Sequence, residues 1–165
     1  MFRRNTHQRC CIWRYSFPGV NLDDHYNQSS LEHSIDRIVY PESLQSNLGA
    51  ALLYIASNLY NISDQRPSVP RVLVILTASK SHDDITVASY LLLKYYNVTV
   101  FTIAVGGQYS LGQLKEISSD PDSEYVFTFD SGEDLSDKVA FFKEKLGQGK
   151  NISATIGILK LSALP

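Results

Sequence analysis

The sequence predicts an α/β fold: an open, doubly wound and mainly parallel sheet with helices on both faces. Residues 72–76 and 98–105 are runs of apolar and β-branched side chains, which is typical of strands buried on both faces. Around these runs, apolar residues recur at helical spacing, so that from residue 72 onward the order is β-α-β-α-β-α. That order predicts parallel strands joined by right-handed crossovers.

The elements follow in chain order. Ser29 and Glu32 form a capping-box pattern before a first helix, and Pro41 ends it. Helices are predicted at residues 31–38, 48–59, 85–95, 111–117 and 135–146. Strands are predicted at 72–76, 98–105 (closed by Gly106 and Gly107) and 125–129. The tail, residues 154–165, is apolar without clear periodicity, so the pattern assigns it no element.

Composition restricts the class of protein. The 165 residues are enough for one domain with a real core, and 44% hydrophobic with 19% charged residues is ordinary for a globular chain. A net charge of −2 argues against electrostatic binding to nucleic acid or to a membrane surface. No apolar run approaches the roughly 18 residues that would cross a bilayer, so no membrane insertion is expected. The basic first residues lack the apolar core of a signal peptide.

Four sequons indicate an extracellular compartment. Asn27, Asn61, Asn97 and Asn151 each begin the acceptor pattern for N-linked glycosylation, where about one would be expected by chance. Asn97 stands at the mouth of a predicted strand. The adjacent cysteines, Cys10 and Cys11, have neither the geometry for a good mutual disulfide nor the spacing of a zinc site.

The sequence gives no support for an enzyme. It contains no dinucleotide fingerprint, phosphate loop, zinc-protease motif or nucleophile elbow. Ser81, His82 and Asp83 are the residue types of a catalytic triad, but three consecutive residues cannot place nucleophile, base and acid in series. We interpret them as a solvated loop. A small α/β hydrolase using Ser81 or Asp83 is the remote alternative.

Four segments in the same order carry a family resemblance. They are SNLGAAL (46–52), RPSVPRVLVILTASKSHDD (66–84), NVTVFTIAVGG (97–107) and EYVFTFDSGEDL (124–135). They resemble a von Willebrand factor type A domain of the collagen VI and matrilin kind. The similarity covers about residues 20–146. Residues 1–19 lie outside it, with 11–15 as a candidate edge strand, and 147–165 form a C-terminal tail.

The resemblance implies a metal-ion-dependent adhesion site, in which Mg²⁺ is held by a DxSxS loop, a threonine and an aspartate at the top of the sheet. Hard cations prefer such oxygen ligands. Ser46 stands at the threonine position, but Ala78 replaces the aspartate and no DxSxS loop is found. Asp83 and Asp84 are better explained as the start of the helix that follows them. We therefore expect no Mg²⁺ or other cofactor, and Ser46 and Ala78 are vestigial positions.

The resemblance also implies a central first strand for which the residues before 20 leave no room. Residues 72–76 would then carry an unpaired apolar edge, an aggregation hazard. Three explanations are open: the chain is a fragment of a longer matrix protein, an N-terminal hairpin pairs with residues 72–76, or another chain completes the sheet.

The expected function is a non-enzymatic adhesion module of an extracellular matrix protein, binding protein partners without metal. The resemblance implies partners such as collagens or other domains of the same family, and no nucleic acid. Candidate contact residues are Ser79, Ser81, His82, Asp83 and Tyr109. The alternative is a structural spacer, or a non-functional fragment, of a multi-domain matrix protein.

Overall fold

The computed structural model describes residues 46–57 and 70–138, the single positions Ser29, His33, Phe141 and Glu144, and the backbone of 155–160. The strands are β1 (Arg71–Ser79), β2 (Thr99–Gln108), β3 (Val126–Phe129) and β4 (Thr155–Lys160). The helices are α1 (Leu48–Ile55), α2 (Thr86–Tyr90), α3 (Leu111–Ile117), α4 (Asp122–Tyr125) and α5 (Gly132–Asp137). A wider π-helical segment, Leu91–Tyr95, continues α2.

The four strands form one parallel sheet in the order β3-β2-β1-β4. β1 is central, as the uninterrupted apolar run predicted. On one side it is paired with β2, with Val72 opposite Thr99, and on the other with β4, with Val72 opposite Ile156. The predicted parallel α/β architecture is confirmed.

The expectation that residues 72–76 would carry an unpaired edge is wrong. Both edges of β1 have a neighbour, and the second neighbour is β4, from the tail to which the sequence pattern assigned no element. Pairing of an N-terminal hairpin with this segment is contradicted for the same reason. The candidate edge strand at 11–15 lies outside the described residues. The sequence pattern missed β4 because six residues containing a glycine have no distinctive period.

Alternation along the strands separates two apolar clusters, one on each face of the sheet. Leu73 and Ile75 of β1 lie in the larger cluster, which α1 and α2 cover. Val72 and Val74 lie on the opposite face, where Leu135 of α5 packs against the cluster. Helices therefore cover both faces, as predicted.

Several element boundaries differ from the predicted ones. β2 runs through the two glycines to Gln108, with Gly106 at a φ of 83°, so the prediction that these glycines close the strand is wrong. The helical turn α4 was not predicted. α5 starts at a capping box in which Ser131 and Asp134 bond reciprocally, and the predicted apolar positions Val139, Phe142 and Leu146 lie outside the described residues.

The predicted first helix also lies almost wholly outside the described residues, where only Ser29 and His33 are seen, both helical. The second is confirmed as α1, with Leu48, Leu52 and Ile55 buried. Among the helices of the described part, none has the length and apolar character needed to span a membrane.

Candidate functional site

The candidate site lies at the carboxyl ends of β1 and β2, where open parallel sheets carry their ligand sites. Two pieces meet there: the start of α1, and the loop of residues 80–84 that leads from β1 to α2. They are 33 to 36 residues apart in the chain and are joined by several hydrogen bonds. We call this the α1–loop junction.

Asp83 is the centre of the α1–loop junction. One carboxylate oxygen accepts a hydrogen bond from Gly49 N at 3.0 Å, and the other accepts one from Ala50 N at 2.7 Å. These N–H groups belong to the first turn of α1, which contains no acidic residue and whose own cap residue, Asn47, makes no side-chain capping bond. A carboxylate there satisfies unpaired donors and interacts favourably with the helix dipole. Asp83 thus caps α1, not α2 as the sequence suggested.

Ser81 is buried within the same junction, with 6% of its surface exposed. Its hydroxyl accepts a hydrogen bond from Leu48 N at 2.8 Å and donates one to Asp83. The side chain of Gln113 in α3 bonds both backbone groups of Ser81, accepting from its N–H at 2.9 Å and donating to its carbonyl at 3.2 Å. The interpretation of these residues as a solvated loop is therefore wrong for Ser81.

His82 is exposed, and its backbone N–H donates to the Ser46 carbonyl at 2.8 Å. Its ring nitrogen Nδ1 lies 3.2 Å from Ser46 N. A triad needs the imidazole between the hydroxyl and the acid. Here the Ser81 hydroxyl bonds the acid directly and the imidazole contacts another backbone. The described residues therefore do not place Ser81, His82 and Asp83 in series.

Gly49 allows the start of α1 and the loop of residues 80–84 to lie close together. A Cβ atom at this position would stand 2.1 Å from the carbonyl oxygen of Asp84, a distance that no side chain tolerates. The absence of a side chain is what lets α1 present its first N–H groups to Asp83. Sequence reasoning noted this glycine only as part of a motif, and it did not detect Gln113 at all.

Asp84 has a separate role at the start of α2. Its carboxylate accepts hydrogen bonds from the backbone N–H of Thr86 at 3.0 Å and from the Thr86 hydroxyl at 2.8 Å. These bonds, the backbone one first, hold the pKa of Asp84 below the usual value of an aspartate, because they favour the charged form. The side chain is exposed, so it is a local cap and not part of the buried junction.

The oxygen atoms that the described residues bring to this end differ from the donor set that the family resemblance implies for magnesium. Ser46 is buried, and its hydroxyl has no hydrogen-bond partner among the described residues. Ala78 offers only a methyl group, and both oxygens of Asp83 are bonded to α1. No group of three His, Cys, Asp or Glu residues is close enough to hold a metal in the part of the chain that the structure describes.

The remaining predicted contact residues lie at the same end of the sheet. Ser79 ends β1 beside Gln108, where the register of β1 and β2 shifts. Tyr109 directly follows Gln108 in the chain. Ser79 and Tyr109 are both half-buried. Lys80, between Ser79 and Ser81, is exposed, and its backbone N–H donates to the Gln108 carbonyl at 2.9 Å. The structure thus brings all five predicted contact residues to one end, but it buries Ser81 and bonds Asp83 to α1.

Comparison with known sequences identifies a family. The von Willebrand factor type A domain model matches residues 16–140. Cuticlin-6 of Caenorhabditis elegans is 31% identical over 73% of this chain and 20% of its own length. Matrilin-1 of Gallus gallus is 30% identical over 69% of this chain and 22% of its own. The human collagen alpha-6(VI) chain is 30% identical over 64% of this chain and 5% of its own.

Solved structures agree. The proximal thread matrix protein 1 from the mussel byssus, with a zinc-occupied MIDAS motif, has a TM-score of 0.58 at 28% identity, covering 70% of this chain and 28% of that one. A second structure of that protein has a TM-score of 0.66 at 20% identity, over 74% and 32%, and shows the fold alone. The chain spans only about a fifth of cuticlin-6 and matrilin-1. This chain belongs to the von Willebrand factor type A domain family.

Proposed function

We propose that this chain provides a non-enzymatic protein-binding module of an extracellular matrix protein, and that it binds its partners without a metal ion. The family and the relatives support the general class, because collagen chains and a matrilin are among them. Partners of the same kind, collagens or other type A domains, are the first to test. The proposed domain includes residues 20–146 together with β4, since β4 completes the sheet beside β1.

The proposed metal independence rests on the hydrogen bonds that the Asp83 carboxylate already accepts. A Mg²⁺ site needs free, anionic oxygen ligands. Asp83 is the carboxylate that the described structure places against α1, and it already accepts two backbone N–H groups and the Ser81 hydroxyl. Releasing it to a cation would leave Gly49 N and Ala50 N without partners, which costs free energy. Ser46 then remains as a single neutral hydroxyl.

The contact surface we propose is formed by the exposed and half-exposed residues around the α1–loop junction: Ser79, Lys80, His82 and Tyr109. Ser81 and Asp83 position this surface and are removed from the set of contact residues, because their polar atoms are used within the protein. The surface carries one lysine and one histidine and an aromatic ring, a combination that suits hydrogen bonding to a protein partner.

The absence of catalysis is proposed on the same geometry. The Ser81 hydroxyl is buried, the carboxylate to which it donates already accepts two N–H groups of α1, and the His82 ring contacts Ser46 instead. The described residues therefore do not form the nucleophile and base pair of a hydrolase.

Two measurements test this proposal. Calorimetric titration of the purified chain with Mg²⁺ or Mn²⁺ should give no binding heat, and binding to immobilised collagens and matrilins should be the same with and without EDTA. Lys80→Glu should weaken that binding at least several-fold. Lys94→Glu is the matched control, because Lys94 is also exposed but lies in the π-helical segment at the other end of the fold.

The outcomes separate the parts of the proposal. Micromolar Mg²⁺ binding that Ser46→Ala abolishes would overturn metal independence. Equal effects of Lys80→Glu and Lys94→Glu would remove the proposed contact surface. A folded chain that binds no matrix protein would favour the spacer alternative.

A further inference from the structure

The turn between the π-helical segment and β2 contains the sequon Asn97-Val98-Thr99. Asn97 is exposed, and its backbone is in the left-handed region, with a φ of 51°. Asparagine is one of the few residues that adopt this region readily. Its side chain makes no hydrogen bond to any residue that the structure describes. Asn97 therefore exposes its side-chain amide to solvent, unbonded within the described part of the chain.

The turn is held firmly on both sides of Asn97. Tyr96 packs against the larger apolar cluster, and its backbone N–H donates to the Leu91 carbonyl at 2.9 Å. Val98 N donates to the Leu92 carbonyl at 2.9 Å, and the guanidinium of Arg71 donates to the Tyr96 carbonyl at 3.3 Å. These bonds fix the backbone next to Asn97, so the exposure of its side chain is a property of the folded turn.

An exposed apolar surface lies next to this turn. Among the described residues, the three most exposed large hydrophobic side chains are Val87 at 59%, Tyr90 at 63% and Tyr95 at 71%. Val87 and Tyr90 are three residues apart and share a helix face, and Tyr95 follows about one turn later in the wider π-helical geometry. Tyr95 packs edge-on against Tyr96, with ring centroids 4.8 Å apart. We call these three residues the α2 apolar face.

We propose that Asn97 carries an N-linked glycan and that its first sugars lie over Tyr95 and cover the end of the α2 apolar face. The sugar attached to Asn97 starts only two residues from Tyr95. The C–H faces of a pyranose ring are apolar and pack well on an aromatic ring, while its hydroxyls remain in water. A glycan is bulky and hydrated, so it needs an exposed acceptor such as this one.

The attachment is a group transfer from a lipid-linked oligosaccharide donor during synthesis in the secretory pathway. The bond between Asn97 Nδ2 and the sugar C1 forms, and the bond between C1 and the donor's pyrophosphate oxygen breaks. Nδ2 loses one proton, which passes to a base of the transferring enzyme and then to water, and the lipid pyrophosphate leaves as an anion, so no oxidant or reductant is required. The inference rests on the extracellular location that forms part of the proposed function.

Asn97 lies at the end of the sheet opposite the α1–loop junction. All four strands are parallel, so segments that lead into strands lie at the amino end of the sheet. The ten residues of β2 separate Asn97 from the carboxyl end by about 30 Å. A glycan there leaves the α1–loop junction open. Two further sequons, Asn61 and Asn151, also precede strands, ten residues before β1 and four before β4.

The test uses the full chain, produced in mammalian cells with a cleavable secretion leader and mapped by glycopeptide mass spectrometry. Wild type should carry a glycan on Asn97. Thr99→Val removes the acceptor pattern while keeping a β-branched residue in β2, and it should lose that glycan alone. Thr99→Ser keeps the pattern and is the matched control. A folded, secreted wild type with unmodified Asn97 would overturn the proposal.

A second measurement tests the cover. Hydroxyl-radical footprinting should modify Tyr95 at least several-fold more in Thr99→Val than in wild type, while Tyr109 at the opposite end should be unchanged. Equal modification of Tyr95 in both proteins would mean that the glycan does not lie over it. Failure of the proposed function would give another result: Asn97 would carry a glycan, but the chain would bind no matrix protein.

Discussion

The carboxyl and amino ends of this parallel sheet differ in how their polar side chains are bonded. At the carboxyl end, the α1–loop junction bonds Asp83 to Gly49 and Ala50, and Gln113 to the backbone of Ser81. At the amino end, the turn at Asn97 presents Tyr95 to solvent and leaves an asparagine side chain without a described partner. At the end where ligands usually bind, the side chains of Ser81 and Asp83 are bonded within the protein, although the buried Ser46 hydroxyl has no described partner. At the other end, the Asn97 side chain is exposed.

This contrast suggests how the metal-independent module that we propose connects α1 to the loop after β1. A metal at the carboxyl end would join α1 to the loop after β1 by attracting oxygen atoms from both. Here a carboxylate makes the same connection, because it accepts hydrogen bonds from the N–H groups of α1. Charge-assisted hydrogen bonds of this kind are among the stronger ones in proteins. The junction is therefore a structural connection, and under the proposed function the residues around it contact the partner.

The largest effect is expected at Gly49. Gly49→Ala places a Cβ 2.1 Å from the carbonyl oxygen of Asp84, so α1 or the loop must move and the bonds to Asp83 lengthen. We expect a loss of about 3 kcal/mol in the free energy of unfolding, measured by urea denaturation.

Gly112→Ala is the matched control, since Gly112 is also in the first turn of a helix, α3. The nearest atom to a Cβ there is 3.9 Å away, which is ordinary contact. This variant should be neutral or more stable by up to about 1 kcal/mol, because alanine favours helices. If Gly49→Ala and Gly112→Ala lower the free energy of unfolding equally, Gly49 is not needed for close approach at the α1–loop junction.

The next effect is expected at Asp83. Asp83→Ala removes the acceptor of two backbone N–H groups and of the Ser81 hydroxyl, and should lower the free energy of unfolding by about 2 kcal/mol. The neighbouring carboxylate is the control, because Asp84 is exposed and caps only the first turn of α2. Asp84→Ala should cost clearly less in the same denaturation experiment; the reverse order would contradict the network described for the junction.

The two central strands, β1 and β2, could be predicted because their signal is local. β1 and β2 are buried on both faces, so nearly every residue in their central segments is apolar. α1 was predicted from Leu48, Leu52 and Ile55, whose spacing matches one helix face and which are all buried. In such segments, the burial that stabilises the element also produces its pattern in the sequence.

The α1–loop junction and β4 could not be predicted because their signals are not local. Asp83 contacts α1 from 33 residues away, and nothing in its neighbours distinguishes a cap for the preceding helix from a cap for the next one. β4 pairs with a strand about 84 positions earlier in the chain, as Arg71 opposite Thr155 shows. The alanine at position 78 can be read from the sequence. The role of Asp83 as the cap of α1 can be seen only from the three-dimensional contacts.

The smallest effect is expected at the amino end and concerns the backbone of Asn97 without its glycan. In protein made in bacteria, Asn97→Ala should cost about 1 kcal/mol, because alanine is strained at a φ of 51°. Asn97→Gly should lie within a few tenths of a kcal/mol of wild type, since glycine adopts this φ without a Cβ clash. Denaturation of both variants separates backbone strain from any stabilisation by the sugar. Equal stability of the alanine and glycine variants would show that the turn relaxes, and the orientation proposed for Asn97 would then lose its structural basis.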